Sequence, residues 1–272
     1  MFILFTDIDG TITNKYTHAF EGSDVWLKKL NKLGIAVIFA SSKTFLEICN
    51  IQEQLNINQP FIFENGSAIA LPKNQLNYTD TGSEGEIYHD FVIHSLVPKN
   101  LDIQLWNDEI NKLYPGKFSS LQSGSRVQLM QITGLTEELL KLAQQRMFTE
   151  TYFFSDQKIS LKSINDKLTR LNAVAVQGSR FITVSHKLAS KGNAIRYYLN
   201  SLQDDKLDIR SYSVGDGKND YSMFGETNFS YFLTDNISVT LKTPNTYIIN
   251  PEGPLGFIKV CKKIIEEFES RK

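Results

Sequence analysis

Three short apolar runs constrain this chain more than any other feature: FILFT at Phe2–Thr6, IAVIFA at 35–40 and FIF at Phe61–Phe63. They are unbroken rather than alternating, the pattern of strands buried on both faces, and such strands sit in parallel sheets covered by helices. The segments between them supply those helices. Trp26, Leu27, Leu30 and Leu33 recur at helical spacing behind Ser23, a candidate cap, with Gly34 as a stop, and Phe45, Ile48, Cys49 and Leu55 do the same over 44–55. This βαβα order predicts an α/β domain. Ligands bind such sheets outside the carboxyl ends of the strands, which is where Asp7, Ser41 and the pair Glu64 and Asn65 fall.

The rhythm lapses after DTGSEGE at 80–86. Strand-like pieces follow at 87–93 and 128–132, helical stretches at 101–113 and 136–147, and a strand at 151–155; the segment closes near GSRFITVSH at 178–186. The opening rhythm then resumes with a helix at 190–202, strands at 209–217, 228–233 and 246–250, and an amphipathic helix at 255–269. The expected organisation is therefore an α/β domain of residues 1–82 and 188–272, interrupted by an α+β insert over 83–187.

With 272 residues, 41% of them hydrophobic, the chain can form two such cores. A formal net charge of −1 provides no bulk attraction to nucleic acid or to an anionic membrane, so neither is expected as a partner. Cys49 and Cys261 have no metal-ligand spacing and read as reduced thiols, and no apolar run approaches a membrane span, so a soluble, cytoplasmic protein is expected.

Four places carry chemistry. FTDIDGT at 5–11 puts Asp7 and Asp9 on one side of the chain at a strand's mouth, where two carboxylates so close need a shared proton or a cation. ASSKT at 40–44 adds hydroxyls and Lys43; Lys191 opens a helix, whose N-terminus favours an anion; VGDGKND at 214–220 presents Asp216 and Asp220 between turn formers. Taken singly, each is an ordinary turn or helix start. Their conjunction, at strand ends of one sheet, assembles hard oxygen ligands, hydroxyls and ammonium groups around one cleft, a set that suits Mg²⁺ rather than zinc.

On these residues the chain resembles the haloacid dehalogenase (HAD) superfamily of phosphotransferases. DIDGT matches its first motif, Ser41 its second, Lys191 its third and GDGKND its fourth, with the insert between the second and third as in the Cof-like branch. FASSKTFLEI, PFIFENGSAI, ITGLTEELLKLAQQRMFTETYFF, QGSRF and PEGPLGF are similar to the mannosyl-3-phosphoglycerate phosphatase family over nearly the whole chain. The resemblance implies a Rossmann-like, doubly wound parallel-sheet core with an inserted α+β cap, and a cytoplasmic, Mg²⁺-dependent phosphatase acting on a phosphorylated sugar or glycosyl-phosphoglycerate.

It also implies roles. Asp7 is the nucleophile that becomes an aspartyl phosphate, and Asp9 is the acid and base, able to carry a proton because the neighbouring acid disfavours its anion. Mg²⁺ is held by Asp7, the Asp9 carbonyl, Asp216 and, through water, Asp220; Ser41 and Lys191 hold the phosphoryl oxygens, and Asn219 orients Lys191 or the acids. Ser42, Lys43, Asn65, Gln177, Arg180 and Lys187 are candidate substrate contacts, with Arg146 and Glu150 either meeting the sugar or pairing with each other. One departure is visible: Gln122 and Arg126 stand where relatives usually carry acids. A broader sugar phosphatase, a phosphomutase and a non-catalytic phosphosugar sensor are the competing readings.

Overall fold

The computed structural model describes residues 1–75, 85–154, 159–177, 181–202, 208–236, 238–239, 241 and 243–271. In chain order the elements are β1 (Phe2–Thr6), α1 (Ser23–Lys32), β2 (Ala36–Ala40), α2 (Phe45–Leu55), β3 (Phe61–Phe63), β4 (Ala68–Pro72), β5 (Glu86–Tyr88) and β6 (Phe91–Ser95). Next come α3 (Ile103–Leu113), β7 (Phe118–Ser120), α4 (Arg126–Thr133), α5 (Glu137–Ala143), β8 (Thr149–Phe154), α6 (Leu161–Leu168), β9 (Ala173–Gln177) and β10 (Ile182–His186). The chain finishes with α7 (Lys191–Ser201), β11 (Arg210–Gly215), β12 (Phe229–Leu233), β13 (Thr246–Ile249) and α8 (Gly253–Ser270).

Nine strands form one sheet in the order β13-β12-β11-β1-β2-β3-β4-β6-β5, parallel from β13 to β3 and antiparallel beyond. Leu4 and Ile3, adjacent in β1, are both fully buried and belong to the apolar layers on opposite faces, as expected for an unbroken apolar strand. From β1 the chain proceeds to β2 on one side and returns through β11 on the other. That reversal opens the crevice at the carboxyl ends of β1 and β11.

The second sheet, in the order β7-β8-β10-β9, is antiparallel. Trp106 and Ile110 of α3 and Ile164 and Leu168 of α6 cover one face through Tyr152. The two-residue period of β8 turns Thr149, Thr151 and Phe153 to the opposite face. Leu129 of α4 and Leu140 of α5 pack there against Phe153.

Three expectations are corrected. The run 87–93 is a hairpin, broken by His89 at φ 52, and it joins the nine-stranded sheet instead of opening the insert. The cause is aromatic packing: Phe45 meets Phe61 at 5.3 Å, Phe63 at 5.8 Å, Tyr88 at 5.0 Å and Phe91 at 5.5 Å, which anchors the hairpin to α2 and β3. The apolar piece 128–132 lies in helix α4, whose buried residues Leu129 and Thr133 are spaced four apart before Gly134 ends the helix at φ 75. Ser23 does not cap α1; its hydroxyl donates to the Ile12 carbonyl at 2.5 Å, and Gly22 occupies the cap position.

Phe45 anchors both α2 and the hairpin. Phe45→Ala should therefore lower stability by about 3–5 kcal/mol, read from the urea midpoint at constant slope.

Candidate active site

The carboxyl end of β1 delivers Asp7, whose N–H donates to the Val214 carbonyl of β11 at 3.0 Å, locking together the two strands beside the crevice. Gly10 follows at φ 83, and a Cβ there would lie 2.4 Å from Asp216 Oδ2, so only glycine lets the first loop close against the fourth motif. Thr11 donates to Asp216 Oδ1 at 3.2 Å, and Asp220 Oδ2 accepts from the N–H groups of Asp216 and Gly217 at 3.1 and 2.8 Å.

Lys191 is the pivot. Its ammonium is wholly buried and donates to Asp7 Oδ1 at 2.5 Å and Asp220 Oδ1 at 2.6 Å. Ser190 caps its helix by accepting from Asn193 N–H, and Gly66 lets that N-terminus approach: a Cβ on Gly66, at φ 87, would stand 2.2 Å from the Ser190 carbonyl oxygen.

Oxygens of Asp7, Asp216 and Asp220 all lie within 4.8 Å of one another. Burial, with the neighbouring acids, pushes Asp7 up to about 7 despite Lys191, which is shared between two carboxylates. Burial and repulsion from Asp7 and Asp220 push Asp216 to about 8. A compact, all-oxygen donor set with more negative charge than Lys191 balances fits a hard divalent cation.

Asp9 differs from the expectation that it carries the proton. Burial raises its pKa, but Lys43 Nζ at 2.9 Å from Oδ2 and His18 Nδ1 at 3.3 Å from Oδ1 outweigh burial and hold it well below the usual carboxylate range. Asp7, not Asp9, is the acid with the raised pKa. His18 showed no recognisable spacing in the sequence; it reaches Asp9 because the loop turns through it at φ 56.

Ser41 is buried, and its hydroxyl accepts from Lys43 N–H at 3.2 Å, leaving its own proton to donate. Asn219 binds Asn65 through Nδ2 and Oδ1 at 3.3 Å rather than Lys191. Asp9, Ser42, Lys43 and His18 line one wall of a cleft whose other wall is Arg146, Thr151, Phe153 and Thr183. Gln177 and Lys187 lie elsewhere: both are exposed, with the Gln177 amide donating to the Phe181 carbonyl at 3.5 Å and Lys187 N–H donating to Asn172. Arg180 falls outside the described residues.

Arg146 and Glu150 do not pair. The guanidinium donates to the Ser42 carbonyl at 2.7 Å and Thr149 Oγ1 at 2.8 Å, whereas Glu150 accepts from Ser120 Oγ and Thr151 N–H. Gln122 donates to the Arg146 carbonyl at 3.0 Å, a bond a carboxylate could not make, and Arg126 pairs with Glu137 at 2.6 Å. Neither departure lines the cleft.

A doubly wound sheet with an acid pair, a buried lysine and an acidic cluster at its switch point has the make-up of a phosphoryl-transfer hydrolase. The family model described as haloacid dehalogenase-like hydrolase matches residues 4–253, and the chain belongs to that family. It is 31% identical over 234 residues, 86% of this chain and 91% of the relative, to the mannosyl-3-phosphoglycerate phosphatase of Pyrococcus furiosus. A second relative, the glucosyl-3-phosphoglycerate/mannosyl-3-phosphoglycerate phosphatase of Persephonella marina, is 27% identical over 98% of both chains. Among solved structures, a HAD subclass IIB sugar phosphatase superposes with a TM-score of 0.64 at 15% identity, covering 98% of both chains. The protein is a phosphoric monoester hydrolase.

Three outcomes are expected. Lys191→Met leaves Asp7 and Asp220 buried without their counter-charge, which should abolish turnover and cost about 3–5 kcal/mol in denaturant unfolding. Because the metal-free folded state holds protons on Asp7 and Asp216 up to about 7 and 8, against 3.8 ordinarily, these groups make that state lose stability as pH rises from about 4 to 8. Divalent cation binding should release protons over the upper part of this range and weaken as pH falls below about 7; calorimetry in buffers of different ionisation enthalpy checks this.

Proposed function

We propose that this protein is a Mg²⁺-dependent phosphatase of mannosyl- or glucosyl-3-phosphoglycerate. The observation that carries the reading is the pair of basic side chains in the cleft beside Asp9: the Lys43 ammonium, shared between Asp9 and Glu47, and the Arg146 guanidinium stand where a leaving group with its own carboxylate needs partners. The names of the two relatives support the same substrates.

Asp7, Asp216, Asp220 and the Asp9 carbonyl would hold Mg²⁺, which when bound keeps Asp7 ionised and offsets phosphoryl charge. Asp7 attacks phosphorus, forming a carboxylate–phosphorus bond as the bond to the glycerate oxygen breaks, and Asp9 gives that oxygen its proton. Water then attacks the aspartyl phosphate, Asp9 takes the water's proton, and Asp7 is restored. Ser41 and Lys191 donate to the phosphoryl oxygens throughout.

Lys43 couples binding to this proton transfer. It sits between Asp9 and Glu47 in the free site, and a substrate carboxylate that draws it away weakens, with His18 still in place, the attraction that keeps Asp9 ionised. Sheet β7-β8-β10-β9 with its helices acts as the cap that excludes water and sets leaving-group choice. Arg146 lines the cleft from the cap side, whereas Lys187 and Gln177 do not.

Phosphate release from mannosyl-3-phosphoglycerate should require Mg²⁺ and should disappear in Asp7→Asn; retained turnover in that variant rules out the covalent route. Release from 4-nitrophenyl phosphate but not from glycosyl-phosphoglycerates would favour a broader sugar phosphatase, and interconversion of sugar 1- and 6-phosphates without phosphate release would favour a mutase. Binding with no turnover of any of these substrates would favour the sensor.

A further inference from the structure

Glu64 is fully buried, and no lysine, arginine or histidine pairs with it among the described residues. Every hydrogen bond its carboxylate accepts there comes from the far side of the cleft. Met147 N–H donates to Oε1 at 2.7 Å, and Phe148 N–H and Thr149 Oγ1 donate to Oε2 at 2.9 and 2.7 Å. A buried carboxylate satisfied only by another layer ties the two layers together, because separating them strips it of all three donors.

The backbone beneath it is also unusual. Glu64 and Asn65 have φ of 47° and 58°, followed by Gly66 at 87°, and two consecutive non-glycine residues in this region carry strain that surrounding contacts must hold. Those contacts lead to the active site. Glu64 N–H donates to the Lys43 carbonyl at 2.9 Å, and Asn65 N–H donates to the Ser41 carbonyl at 2.9 Å. On the cap side, Thr149 Oγ1 donates to Glu64 and accepts from Arg146 Nε, while Arg146 Nη2 returns to Ser42. The loop of bonds thus runs from Lys43 through Glu64 and Thr149 to Arg146 and back to Ser42.

We infer that Glu64 is a positioning residue for leaving-group recognition: its carboxylate seats the cap strand so that Arg146 stands over the cleft opposite Lys43 and Asp9. Nothing in the phosphoryl chemistry touches Glu64. Its effect is confined to substrates whose leaving group reaches the cap, and only the choice of such a substrate rests on the proposed function.

The test compares kcat/KM for mannosyl-3-phosphoglycerate with that for 4-nitrophenyl phosphate, in Glu64→Gln, Thr149→Val and Thr149→Ser, alongside hydrogen exchange over 146–150. In Glu64→Gln one end of the amide turns an NH2 toward a donor, and Thr149→Val removes a hydroxyl while Thr149→Ser keeps it. The expected result is that the ratio of the two kcat/KM values falls about tenfold or more in Glu64→Gln, less in Thr149→Val, and stays near wild type in Thr149→Ser. Exchange of the Met147 and Phe148 amides should be slow in the wild type and accelerated in Glu64→Gln. A fall of both activities in step, with the ratio unchanged, would mean that Glu64 serves stability alone and would overturn the inference, as would rapid exchange of these amides in the wild type. If the wild type cleaves only the aryl phosphate, the substrate reading fails separately and the exchange measurement decides the inference.

Discussion

A single buried ammonium organises this molecule. Lys191 reaches Asp7 at the end of β1 and Asp220 beyond β11, and it does so from the first turn of α7, the point at which the chain returns from the cap. Burying one cation with two anions is not a source of net stability, since desolvation consumes most of the Coulombic gain. What it supplies is specification: two strand ends, a helix N-terminus and the chain's re-entry into the main sheet are held in one arrangement. The surplus negative charge left by Asp216 makes the site ready for a divalent cation.

The two acids of the first motif show how position divides chemistry between identical side chains. Asp7 lies among buried acids and rises toward neutrality; Asp9, two residues on, faces the cleft between Lys43 and His18 and is driven the other way. In the metal-free site this split runs against the proposed roles, since the proposed nucleophile is the acid pushed up and the proposed proton carrier is the one held ionised. The assignment depends on what occupies the cleft, because cation binding lowers Asp7 and loss of Lys43 to a substrate raises Asp9.

Residue order along the chain carried the parallel core and its motif residues. Apolar runs, helical spacing and strand-end acids are local signals, and Asp7, Lys191, Asp216 and Asp220 gather at the strand ends they mark. The misreadings have local causes. Residues 87–93 are apolar enough for one strand, but His89 and Asp90 turn the chain, and no period of two marks the break. The cap contacts were illegible for another reason. Arg146 on Ser42 and Glu64 on the 147–149 backbone are long-range pairings, and His18 meets Asp9, nine residues away, only because the loop turns at a positive φ. A polar side chain's partner is set by the tertiary fold, which leaves no periodic trace.

The ENG turn after β3 shows why such pairings concentrate beside the site. A strand end in a parallel sheet must turn at once, and here it turns through three consecutive positive φ values. Each residue then has a separate task. Glu64 engages the cap, Asn65 engages Asn219 of the fourth motif, and Gly66 admits the helix that carries Lys191. Since Glu64 and Asn65 also bond the Lys43 and Ser41 carbonyls, the turn links the β7-β8-β10-β9 layer to the segment that carries the Ser41 hydroxyl and the Lys43 ammonium. The two layers are therefore joined through one strained turn, on the loop that also holds the Ser41–Lys43 segment in place.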